Sequence, residues 1–226
     1  MIKTWGHELG LRRNNLFYFL VRSLGYLLFR ISYQLNIEGR ENVPPGGPGI
    51  ILPKHQFWID IPIVCIALWR PVSYIAKQEL FVYPGIRQFL TFLGGVPIDR
   101  LKPVKSLDSF RYVEQLLQKG DFIVLFPEGT YYPHTMGRGK HRFIQRLLSF
   151  QEKMKWREEN SIPFIPMGIQ YVERTFRSRV NVRIGKPMFA EGEAESPEFT
   201  RRIMAEIAKL SGLHEREGKL EPQEIS

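Results

Sequence analysis

From Gly49 onward, short apolar runs alternate with longer stretches of helical periodicity, and this alternation narrows the fold more than any other feature of the chain. The runs at 49–53 ("GIILP"), 72–76 ("VSYIA"), 95–98 ("GVPI"), 121–126 ("DFIVLF"), 163–169 ("PFIPMGI") and 180–184 ("VNVRI") are predicted as strands. Helices are predicted over 59–69, 84–93, 103–119, 140–157 and 198–211. A strand separated from the next by a helix returns parallel to it. The expected fold class is therefore α/β, with a mostly parallel sheet flanked by helices. The two prolines three apart in "IPFIPMGI" (162–169) place that strand, by expectation, at a sheet edge or on a groove wall, because proline cannot donate to a ladder. A chain of 226 residues is enough for one domain with a sizeable core.

Ahead of this region lies "NNLFYFLVRSLGYLLFRISYQL" (14–35), rich in Leu, Phe and Tyr. It is long enough to reach across a bilayer, but Arg22 and Arg30 interrupt it, and a spanning helix rarely holds two central arginines. It has neither the short uninterrupted apolar core nor the small-residue cleavage site of a signal peptide. The expectation is an interfacial helix or helix pair with Arg12, Arg13, Arg22 and Arg30 near lipid phosphates. A soluble helix docking its apolar face on the core is the alternative, although apolar residues here cover more than one face. The Pro/Gly loop "ENVPPGGPG" (41–49) separates this segment from the rest.

Hydrophobic residues make up 43% of the chain and charged residues 24%, a globular composition. The net charge of +9 is uneven, because residues 190–226 hold nine Asp/Glu against five Lys/Arg. The basic excess favours an anionic partner, whether nucleic acid, lipid headgroup, phosphorylated substrate or acidic carrier protein. One cysteine, Cys65, allows no internal disulfide.

Functional groups in α/β sheets gather beyond the carboxyl ends of the strands. "KHQFWID" (54–60) stands at such a place. On one continuous helix, His55 and Asp60 would face about 140° apart, so they meet only if His55 lies in a loop and Asp60 in the first helical turn. A carboxylate there could hold the imidazole tautomer and stabilise the imidazolium. Equally, the spacing allows Asp60 to cap the helix while His55 bonds a backbone group. "GGVPIDR" (94–100) brings Arg100 after a short strand, and "FPEGTYY" (126–132) forms a turn after another. For each, a turn with a surface salt bridge is the plainer reading. His134 and His141 lack the spacing and companions of a metal site. "KHRFIQR" (140–146) carries no accompanying nucleic-acid motif.

Taken in order, these stretches resemble the glycerolipid acyltransferase family, specifically bacterial 1-acylglycerol-3-phosphate acyltransferases. The H-x4-D motif is matched by His55 and Asp60, the second motif by Gly94 or Gly95 through Asp99 and Arg100, and F-P-E-G-T by Phe126 to Thr130. The proline-containing fourth motif is matched around Pro163 and Pro166, and "YIAKQEL" (74–80) looks like the family's lysine-bearing stretch. The resemblance covers roughly residues 50–185. It implies that His55 is the general base and Asp60 its orienting carboxylate. The acceptor oxygen then attacks an acyl thioester directly, without an acyl-enzyme. It also implies that Arg100 and Lys77 bind an acceptor phosphate and that Glu128, Gly129 and Thr130 shape the acceptor site. No metal or cofactor is implied beyond the co-substrate, acyl-CoA or an acidic acyl-carrier protein.

The implied partners are an anionic phospholipid membrane and a lysophospholipid, with no nucleic acid, and the implied location is the cytoplasmic face of the cell membrane. On this basis residues 1–40 are expected as membrane-anchoring helices, 41–212 as the acyltransferase domain and 213–226 as a charged tail. One departure bears on the acceptor: Tyr131 stands where an arginine often follows F-P-E-G-T. Arg138, Lys140 and Arg142 lie close enough in sequence to substitute, or else form a solvated basic loop. Glycerol 3-phosphate or a lyso-aminolipid as acceptor, or a catalytically silent lipid-binding protein, are the competing readings.

Overall fold

The computed structural model describes residues 11–99, 107–155, 161–174 and 177–214. Helix α1 (Asn15–Ser32) starts where the Asn14 side chain accepts a hydrogen bond from the Phe17 backbone N–H at 3.0 Å, satisfying one of the orphan donors of a first turn. It ends where Tyr33 turns to an extended conformation and opens strand β1 (Tyr33–Glu38). Strand β2 (Gly49–Pro53), helix α2 (Asp60–Ala67), strand β3 (Val72–Lys77), helix α3 (Pro84–Phe92) and strand β4 (Gly95–Ile98) follow. Helix α4 (Leu107–Gln118), strand β5 (Phe122–Val124), helix α5 (His141–Lys153), strands β6 (Phe164–Val172) and β7 (Ser178–Ile184) and helix α6 (Ser196–Ser211) complete the order.

The sheet runs β1-β7-β6-β2-β5-β3-β4, and every neighbouring pair is parallel except β6 with β7. Alternate strand residues feed two separate cores. Ile50, Leu52, Ile75, Ile123 and Leu125 pack under α4, α5 and α6. Ile51, Tyr74, Phe122, Val124 and Ile165 pack under α1 and α2. The result is the expected α/β arrangement, helices on both faces of a mostly parallel sheet.

Three expectations are corrected. First, the helical stretch expected up to residue 40 stops at Ser32; residues 33–38 are an edge strand in register with β7 from Tyr33↔Ser178 to Glu38↔Arg183. Tyr33, Leu35 and Ile37 turn half-buried toward the core while Gln34, Asn36 and Glu38 face solvent, the period-2 pattern of a one-sided strand. Second, β6 is central, between β2 and β7, and not at an edge, although its Tyr171 does line a groove. Pro163 precedes the strand, and Pro166 falls where the partner on the β7 side changes. The β7 ladder begins at Met167↔Ile184; the Gly185 N–H still donates to the Pro166 carbonyl at 2.8 Å, and beyond it comes the isolated Phe164↔Met188 bridge.

Third, two of the four arginines assigned to lipid phosphates are structural. Arg13 donates to Asp121 at 3.0 Å and to Ser73 at 3.2 Å. Arg22 donates to the carbonyls of Cys65 and Ile66, and Arg40 to those of Ala67 and Ile66, so guanidinium groups satisfy the orphan acceptors at the end of α2. Helix α1 buries Tyr18 in the core and exposes Leu16, Leu20, Leu24, Leu27, Leu28 and Ile31. Among the described residues, no helix is long and apolar enough to cross a membrane. The expected tail from residue 215 onward lies outside the described residues.

Candidate active site

At the carboxyl end of β2 the ladder continues one residue further, the Lys54 N–H donating to the Met167 carbonyl at 2.9 Å, and then the chain turns away. Residues 54–59 form a loop whose groups are almost all claimed. The His55 N–H donates to Glu128 Oε2 at 3.0 Å, and the His55 carbonyl accepts from the Tyr132 N–H at 2.9 Å. The Gln56 side chain donates to the Ile169 carbonyl at 2.7 Å and accepts from the His134 N–H at 3.0 Å. Helix α2 then begins at Asp60 with Pro62 in its first turn, where proline's missing donor costs nothing.

This geometry decides the question left open by spacing. Asp60 does not cap the helix; its carboxylate points back into the loop. Oδ2 lies 3.1 Å from His55 Nδ1 and accepts from the N–H groups of Gln56 at 2.5 Å and Phe57 at 2.7 Å. Oδ1 accepts from the Tyr171 hydroxyl. A carboxylate opposite Nδ1 selects the tautomer with the proton on Nδ1 and leaves the Nε2 lone pair free to take a proton. Among the described residues no protein group is hydrogen-bonded to Nε2. The ring is clamped flat against Phe126, centroids 3.8 Å apart, and Tyr131 lies edge-on at 4.3 Å. Only 7% of His55 is exposed, so a substrate reaches little more than an edge of the ring.

On the other side of His55 is a buried ion pair that sequence reading missed. Lys54 Nζ donates to both Glu128 oxygens, at 2.8 and 2.9 Å, to the His55 carbonyl at 3.1 Å and to the Tyr132 carbonyl at 3.0 Å. Both side chains are fully buried. Burial pulls the Lys54 ammonium below the ordinary lysine value, and the Glu128 charge opposes that pull. Glu128 also accepts from the Gly137 N–H at 2.6 Å. Its oxygens are therefore used up inside the protein, and it holds His55 and the 131–137 loop where a substrate contact had been expected.

The other expected site residues that are described, Gly129, Thr130 and Lys77, follow β5 or end β3. Gly129 sits at φ +74°, a left-handed turn that favours glycine, and the Lys140 side chain lies against it. Thr130 and Lys140 are exposed, as are Arg138 and Arg142. Lys77 is exposed at the carboxyl end of β3, which β5 separates from β2. At about 4.8 Å per strand, Lys77 is on the order of 10 Å to the side of His55. Arg100 lies outside the described residues. Cys65 is buried beside the Tyr74 hydroxyl at 2.8 Å, and burial pushes its thiol up, so it is no nucleophile. His134 packs against Phe57, and His141 opens α5. Among the described residues no group of His, Cys, Asp or Glu could hold a metal ion. A groove of about 410 Å³ beside Asp60's helix is lined by Tyr33, Phe57, Ile59, His134 and Tyr171 among others.

Known proteins share both the fold and the sequence pattern. The chloroplastic 1-acyl-sn-glycerol-3-phosphate acyltransferase LPAT1 of Arabidopsis thaliana is 35% identical over 99 residues, 43% of this chain but only 28% of that protein. This chain thus matches under a third of the length of that relative. The 1-acyl-sn-glycerol-3-phosphate acyltransferase of Pseudomonas aeruginosa is 27% identical over 205 residues, 84% of this chain and 75% of the relative. The crystal structure of the 1-acyl-sn-glycerophosphate acyltransferase PlsC from Thermotoga maritima superposes with a TM-score of 0.60 at 21% identity, over 84% of this chain and 78% of that one, a likeness of fold. The family model described as Acyltransferase matches residues 34–170. That span takes in β1 through most of β6, with His55, Asp60, Lys77 and Glu128 all inside it, and this chain belongs to the Acyltransferase family.

Proposed function

We propose that this protein transfers a fatty acyl group from acyl-CoA or acyl-carrier protein to the sn-2 hydroxyl of 1-acylglycerol 3-phosphate, forming phosphatidic acid. The observation that carries the reading is the His55 Nδ1–Asp60 Oδ2 contact of 3.1 Å in a loop at the carboxyl end of a central strand. His55 Nε2 takes the hydroxyl proton as the acceptor oxygen attacks the thioester carbonyl. The new C–O bond forms, the C–S bond breaks, and the imidazolium returns its proton to the leaving thiolate. One ester and one thiol result, with no net gain or loss of protons. Asp60 keeps a negative charge beside Nδ1, which favours the imidazolium while it lasts.

The names of the matched relatives support the acceptor. Lys77, at the carboxyl end of β3, and Arg100 are the cations proposed for its phosphate. Tyr131, 46% exposed at the side of the base, keeps a second acceptor in view, because a tyrosine there offers no charge to a phosphate. A lyso-aminolipid would suit that environment. The test is turnover by the purified full chain with labelled thioesters and a panel of lysophosphatidic acid, glycerol 3-phosphate and lyso-aminolipid. Lysophosphatidic acid should be acylated fastest, and His55→Ala should lose about 10²–10⁴-fold. Near-normal turnover by His55→Ala sinks the assignment.

The same proposal places the protein at the cytoplasmic face of the cell membrane, bound to one side of it. Its support is the exposed Leu24, Leu27, Leu28 and Ile31 on α1, together with Trp58, 70% exposed in the catalytic loop itself. Co-flotation with vesicles containing anionic phosphatidylglycerol should fall sharply in Leu24→Asp/Leu28→Asp. Equal flotation of this variant and the unaltered chain rejects α1 as the anchor.

A further inference from the structure

We infer that Tyr171 is a positioning residue for acyl transfer: its hydroxyl locks the Asp60 carboxylate so that one oxygen stays in line with His55 Nδ1. The inference rests on the acyl-transfer reading given above for its kinetic part. The two oxygens of Asp60 are unequally served. Oδ2 takes three donors, His55 Nδ1 and the N–H groups of Gln56 and Phe57. Among the described residues Oδ1 takes Tyr171 alone. Asp60 is fully buried, so with Tyr171 removed Oδ1 would be an unpaired charged acceptor without water. The carboxylate would then gain by rotating Oδ1 toward the loop N–H groups, and His55 would lose its in-line partner.

Tyr171 is well suited to hold it. It comes from β6, an element separate from both the His55 loop and α2, so it fixes the carboxylate against the sheet. Its ring is itself held edge-on by Phe57, centroids 5.1 Å apart at 82°. Burial and the neighbouring Asp60 charge push its hydroxyl well above the ordinary tyrosine value, so it remains a donor throughout the working pH range. A hydroxyl that merely tied β6 to α2 would affect stability; one that aims Asp60 affects the histidine.

Two measurements on Tyr171→Phe, which removes one oxygen and keeps the ring, separate these roles. The first needs no substrate: ¹⁵N-edited NMR of the histidine rings in the full chain. The His55 Nδ1–H resonance should move upfield and weaken in Tyr171→Phe; an unchanged resonance overturns the inference. The second is kinetic. We expect kcat to fall about tenfold with both KM values within about twofold, the size of one hydrogen bond to a charged group. In an Asp60→Asn background the same change should cost less than about twofold, because the charge it aims is gone. An unaltered kcat, a loss confined to KM, or an equal tenfold loss in both backgrounds overturns it. If the unaltered chain acylates nothing in the panel, the acyl-transfer reading fails, while the resonance still decides what Tyr171 does to His55.

Discussion

Two buried carboxylates flank His55, and they are paired differently. Glu128 is neutralised: Lys54 spans both its oxygens, and its remaining capacity goes to the N–H groups of His55 and Gly137. Asp60 has no such partner. Among the described residues no lysine or arginine is paired with it, and its donors are two backbone N–H groups, a tyrosine hydroxyl and the imidazole. A buried carboxylate surrounded by neutral dipoles keeps its field for the group beside it. A carboxylate already paired with a cation contributes little field but much cohesion. The comparison teaches that burial and hydrogen bonding do not assign a role. The pairing of each charge separates them, and it favours Asp60 for the proposed chemistry and Glu128 for the scaffold.

Crossed measurements would break this contrast if it were wrong. The largest effect belongs to Asp60→Asn. The amide is isosteric: its oxygen can still accept from Gln56 and Phe57, and its NH₂ can donate to the Tyr171 oxygen. Stability should therefore change by less than about 1 kcal/mol while kcat falls on the order of 10²–10³-fold. A stability loss as large as the catalytic loss would erase the distinction.

Lys54→Met should behave in the opposite way. It leaves Glu128 buried without its cation, at about 3–5 kcal/mol in a denaturant melt. Turnover of the fraction that remains folded should fall less than in Asp60→Asn, because His55 and Asp60 keep their contact. The smallest effect expected is a recovery. Adding Glu128→Gln to Lys54→Met removes the stranded charge, and about 1–2 kcal/mol should return, as a coupled pair demands. Additive losses in that double variant would mean that Lys54 and Glu128 act independently, contrary to their bidentate contact.

The fold was largely legible in the chain. Strands β2, β5 and β6 are buried on both faces, so their apolar runs are continuous and stand out. Strand β1 did not stand out, because only six residues alternate and they follow α1 without an intervening turn signal. The edge placement expected from the prolines of β6 does not hold. The rule about the missing donor is sound, but a central strand also has places where its partner changes, and Pro166 occupies one. Arg22 misleads in another way. A guanidinium among apolar residues suits a lipid phosphate and a helix C-terminus equally, and nothing local distinguishes the two.

Within the site, the sequence by itself determined what short-range geometry can carry. The four residues between His55 and Asp60 permit a loop-to-helix contact, and the strand before and proline after make it the natural one. The turn at Gly129 was equally readable, since a left-handed conformation is set within a few residues. Tertiary structure alone decided the partners that come from far away. Lys54 reaches Glu128 across 74 residues, and Tyr171 reaches Asp60 across 111. Each of those residues, read locally, is an ordinary strand-end lysine or a strand tyrosine. The physical reason is that charge and hydrogen bonding act through space, over a few ångströms. Which side chains come within that distance depends on the order of strands in the sheet, and β2 lies between β5 and β6 only once the chain has folded.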